Sequence, residues 1–302
     1  MARPINNEKM DEEKRGDTRR HWGKSVASFL MVLLTMPLGH ALMILMEKIL
    51  SESALHYAGF AMGAVGLGIV IAGIFAKGDT RQTLCGLFGG LLYWTGWYEF
   101  LFQYYANRYG VMAEVVDGEV VTKPEYLIMP ATFGLWVMVM TLYVFSTRTG
   151  CCFINWVQRR LRLDGAEKKK AQPVIRHSSI VTFMELIVMM WTCYIALMFC
   201  YDDNFLGERH PVTLGLGMVC MAGSVLMFRK QLRIGAWGAN IRMAIAVVVV
   251  FWTPVEILGR MDFFKEFWVE PQEYAVEMIC ILAVFAALAV YLCVFAGKKR
   301  KA

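Results

Sequence analysis

Two glutamates occupy near-identical settings inside apolar segments: Trp94-Thr95-Gly96-Trp97-Tyr98-Glu99 and Trp252-Thr253-Pro254-Val255-Glu256. An ionisable group at membrane depth is costly to keep, so its default reading is functional. At the helical rise, each lies roughly 24 Å from the start of its apolar run. A carboxylate there can take up and release a proton or hold a cation. Other candidates gather at the same depth. His56 and His210 begin apolar segments, Glu125 and Glu273 begin two more, and His40 follows Pro37 by three residues. Carboxylate and imidazole together also suit a divalent transition metal. The two Trp–Glu spacings differ by one residue, which turns one carboxylate by about 100° relative to the other. Pro254 lacks a backbone donor and is a place where its helix can reset.

The competing reading is structural. Tyr98, Tyr104, Tyr105, Phe263, Phe264, Phe267 and Trp268 form an aromatic belt of the kind found at a membrane interface. Glutamates at that level can serve neighbouring hydroxyls or helix ends. Glu185 lies near the opposite end of its segment, where pairing with Arg242 or another base is expected. The 21 Met and eight Cys include a crowded run from Met184 to Cys200. Soft sulfur suits Cu(I), but Met also fills apolar gaps everywhere in this chain. No Cys pair or Cys/His cluster has zinc spacing. Gly59-x-x-x-Gly63 is a small-residue packing motif.

These residues need elements to hold them. Residues AVILMFWYC make up 57% of the 302, and charged residues only 19%, below the soluble average of roughly 25%. The apolar residues come in blocks of about 20, the length that spans a bilayer core as a helix. We read eight spans: 25–47, 55–76, 83–105, 126–147, 179–201, 211–228, 240–259 and 274–296. The fold expected is all-α and integral to the membrane. The first 24 residues are too polar for a signal peptide, so the first span is expected to be retained.

An even number of spans puts both ends on one side. Of the 31 Lys and Arg, 25 fall on that side. This bias predicts cytoplasmic termini and contact with anionic lipid. The acids favour the other side, making an acidic outer mouth. The absence of a targeting signal points to a bacterial inner membrane.

The two sets of four spans align with each other. Ser25 falls on Ser179, Phe29 on Phe183, His56 on His210 and Gly63 on Gly217, all at one offset. Trp94-Thr95 falls on Trp252-Thr253 at a slightly larger offset, and Glu125-Tyr126 on Glu273-Tyr274 at a smaller one. Each half starts on the same side, which predicts two parallel four-helix repeats, 25–147 and 179–296, as some transporters use. The basic tails 1–24 and 297–302 and the basic linker 148–178 flank them. Within the linker, Trp156, Arg159, Arg160 and Arg162 lie on a short amphipathic segment expected to touch lipid or a partner. In the outer loop, Asp117-Gly118 between valines predicts a tight hairpin.

There is no Walker loop, GxSxG, HExxH or HxxxxD, and no cofactor is indicated. Nucleic acid is not an expected partner. The function expected is a small cation- or proton-coupled transporter. The alternatives are a non-catalytic membrane subunit of a larger complex, with a protein partner or as a homodimer, and a membrane enzyme acting on lipid or quinone.

Overall fold

A computed structural model of the chain describes residues 7–116, 119–122, 127–146, 160, 177–202, 205–261, 263–268 and 270–294. In chain order the elements are α1 (Asn7–Ile49), α2 (Glu52–Ile74), α3 (Asp79–Tyr93), a π-helix (Trp94–Glu99) and α4 (Phe100–Arg108). The hairpin β1 (Glu114–Val116) and β2 (Glu119–Thr122) follows, then a 3-10 turn (Met129–Thr132) and α5 (Phe133–Ser146). The chain continues with α6 (Ser178–Tyr201), α7 (Pro211–Gln231), α8 (Trp237–Arg260) and α9 (Ala275–Val294).

Among the described residues, six helices are long and apolar enough to cross a membrane: α2, α6, α7, α8, α9 and the His21–Ile49 part of α1. The protein therefore has the build of a multi-pass membrane protein. The other two expected spans fall on broken elements. Residues 83–105 lie in the α3–π–α4 run, and 126–147 cover the 3-10 turn and the 14 residues of α5. Helix α1 begins at Asn7, so the basic tail largely continues the helix. Its Glu, Lys and Arg are good helix formers. In the hairpin, Val116 pairs with Glu119; Asp117 and Gly118, the expected turn residues, lie outside the described residues.

Helices α6 and α8 are the most enclosed, and the main core gathers on them with α1 and α3. Helix α2 packs on α3, α7 on α8, α6 on α3, and α1 on both α8 and α9. Helices α2, α7 and α9 turn large apolar side chains outward, among them Phe60, Met218, Val219 and Ile279. That outer surface suits lipid tails and would be an aggregation hazard in water.

Lipid is as apolar as a leucine side chain, so helices in it associate through close contact rather than hydrophobic exclusion. The α2–α3 contact follows this rule. A Cβ on Gly66 would lie 2.5 Å from the Gly89 carbonyl oxygen, and one on Gly63 would strike the Trp97 indole. Only glycine lets these backbones meet.

Two buried amide side chains lock the opposite end of the bundle. Asn240 Nδ2 donates to the carbonyls of Gln231 (3.3 Å) and Ile234 (2.9 Å) and to Ser25 Oγ (2.9 Å). Gln231 Nε2 donates to Ser25 O and Asn240 Oδ1. Gln82 Nε2 likewise donates to Ile74 O and Ala76 O, while its Oε1 accepts from Ser178 N. Asn240 and Gln82 satisfy carbonyls left open near a helix C-terminus, and tie those turns to Ser25 in α1 and to Ser178 at the start of α6. Asn240→Leu should lower stability by about 2–3 kcal/mol, because Gln231 and Ser25 lose a buried partner. Thermal melting of the solubilised protein measures it.

Candidate functional site

Glu99 and Glu256 are held in the same way. Trp94 Nε1 donates to Glu99 Oε1 at 3.0 Å, and Trp252 Nε1 donates to Glu256 Oε1 at 2.6 Å. The one-residue difference in spacing is absorbed by backbone geometry. Trp94 to Glu99 spans the π-helix, whose wider turn brings i and i+5 together. Trp252 to Glu256 spans an ordinary turn of α8, which runs unbroken through Pro254. The expected 100° rotation is therefore not seen, and the adjustment occurs at Trp94–Glu99 rather than at Pro254. Each carboxylate keeps its indole donor.

The surroundings differ. Glu99 is buried, with its donor Trp94 stacked on Tyr98 (4.5 Å between ring centres) and Tyr194 (5.6 Å). Glu256 is half-buried and faces His40, whose Nε2 lies 3.9 Å from Oε1. The His40 Nδ1 hydrogen-bonds the Met36 carbonyl at 3.1 Å, which fixes the ring toward the carboxylate. Glu256 also lines a cavity of about 20 Å³ with Met36, Met190, Cys193, Tyr194 and Thr253. That volume holds one water or one small ion.

The other candidates are not drawn into this centre. His56 packs edge-on against Tyr104, 4.3 Å between ring centres. His210 caps α7, its Nδ1 accepting from Val212 N. Glu273 is exposed just before α9. Glu125, Trp156, Arg159 and Arg162 lie outside the described residues, and Arg160 is exposed and helical. Among the described residues no three His, Cys, Asp or Glu side chains converge as a metal site.

Arg242 takes Asp79 as a partner, Nη1 to Oδ1 at 2.9 Å, and also donates to Thr83 Oγ1. Ser178 Oγ donates to the same carboxylate. The bridge joins α8 to α3, and Glu185 on α6 is half-buried. Asp79 was missed because it sits in a polar turn 163 residues from Arg242. Partial burial alone raises the Asp79 carboxyl, but bonds from Ser178 and Arg242 and the Arg242 charge outweigh it and hold it below its ordinary value. A depressed carboxyl stabilises the fold fully above its ordinary value of 3.8, and this is lost as pH falls through the lower folded value. Wild type and Asp79→Asn should thus differ in melting temperature near neutrality and converge in acid.

Beyond the C-terminal end of α6, Arg260 pairs with Glu208 and lies over the Tyr201 ring, 4.3 Å from its centre. No family model, curated protein or solved structure matches the chain.

Proposed function

We propose that the protein is a proton- or cation-coupled membrane transporter made of two parallel four-helix repeats, with its basic side cytoplasmic. The observation that carries this reading is the twin arrangement of Glu99 and Glu256. Each carboxylate accepts from an indole, in corresponding helices, and Glu256 opens on a water-sized cavity beside His40. Carboxylate, imidazole and a water site are the parts of a proton relay.

Side-chain contacts support the duplication. Phe29 on α1 meets Phe251 on α8, and its counterpart Phe183 on α6 meets Tyr93 on α3, each edge to face. Gln82 and Asn240, at corresponding starts of α3 and α8, make the same kind of tie. In each case the first helix of one half leans on the third helix of the other. A pair of halves joined this way can rock about a shared axis, the motion alternating access requires. In this reading the α3–π–α4 run and the 127–146 segment complete the eight spans.

The test is proton uptake by vesicles reconstituted with the full chain and energised by an imposed pH gradient. Flux above that of empty vesicles is expected. Vesicles no leakier than empty ones, across the candidate coupling cations, would overturn the proposal.

A further inference from the structure

We propose that the cavity between α1, α6 and α8 is a binding site for a soft monovalent metal ion, Cu(I), with Ag(I) as its surrogate. Its walls carry two thioethers, Met36 and Met190, one thiol, Cys193, and the Glu256 carboxylate. Met36 and Met190 correspond at the same offset as Ser25 and Ser179. The inference thus rests on the duplicated reading, with this sulfur pair drawn from equivalent helices.

The donor set selects the metal. Hard and borderline ions want several carboxylates or imidazoles, and among the described residues no three such groups converge. Thiol and thioether sulfur favour Cu(I). The volume of about 20 Å³ is enough for a single small ion. An unneutralised charge in this apolar setting is costly. Binding resolves that cost: the Cys193 S–H bond breaks, an S–Cu bond forms, and the proton passes to the Glu256 carboxylate. The thiolate then cancels the charge of the ion, copper keeps its oxidation state, and the displaced proton is held on Glu256.

The experiment titrates the full-length, reduced protein in detergent with Cu(I) under anaerobic conditions, in competition with bicinchoninate. Wild type is expected to withdraw one tightly held ion per chain, with sulfur neighbours in the X-ray absorption spectrum. Met36→Leu, Met190→Leu and Cys193→Ser should each weaken this by about tenfold or more. Cys280→Ser, at an exposed position, should change nothing. The methionine variants nearly conserve volume and are expected to keep the fold, which a melting curve verifies. Wild type that withdraws no copper, or variants that bind as wild type does, would overturn the site. Proton flux in metal-free vesicles is read separately. Copper binding without flux sinks only the coupled-transport reading, and flux without copper binding sinks only the metal site.

Discussion

Glu256→Gln is expected to reduce proton uptake by reconstituted vesicles by about a hundredfold, the usual scale for removing a positioned proton carrier. Glutamine keeps the size of the side chain, and its carbonyl oxygen can still accept from Trp252 Nε1, so the α8 turn should be undisturbed. What it removes is the ability to titrate beside His40 and the cavity. Because a half-buried carboxylate pays for desolvation, the variant should melt no lower than wild type. Glu99→Gln should act in the same direction through its own indole clamp. It should be the milder of the two, because Glu99 is buried behind Trp94 and Tyr98 and does not line the cavity. Unchanged flux and unchanged pH dependence in both variants would show that the carboxylates only brace their helices.

Gly96→Ala is expected to cost about 3 kcal/mol, the upper end for forcing a methyl into a packed contact. A Cβ there would sit 2.4 Å from both the Gly59 carbonyl oxygen and the Gly63 nitrogen. Both are backbone atoms in α2, so no rotamer change can relieve the clash and the two helices must separate. Gly96 lies in the same π-helix that sets the Glu99 register, so this substitution should also impair flux. Gly68→Ala is the matched control, with nothing within 4 Å of the added carbon, and a helix there should gain slightly from alanine. Equal melting temperatures for the two variants would rule out tight α2–α3 packing.

Much of the frame was readable along the chain. Apolar blocks located the six long helices to within a few residues, and Asp117-Gly118 marked the hairpin. The repeated Trp-Thr pair picked out Glu99 and Glu256, and the Gly59–Gly63 spacing marked a close contact. These features depend on neighbours in the sequence, through helix hydropathy, turn chemistry and side-chain size.

Packing settled the rest. Nothing local shows that the extra residue before Glu99 becomes a π-turn. Helices α2 and α7 are apolar all round, so no periodic stripe marks which face is inward. In water an amphipathic pattern would have done so. In lipid, contacts are chosen by shape and by small residues. His40 therefore meets Glu256, Arg242 meets Asp79, and Asn240 closes on Ser25 across long stretches of chain. Chain chemistry decided which groups sit within the apolar helices. Only the helix packing decided which of them share a cavity, because side chains far apart in sequence acquire common surroundings when their backbones dock.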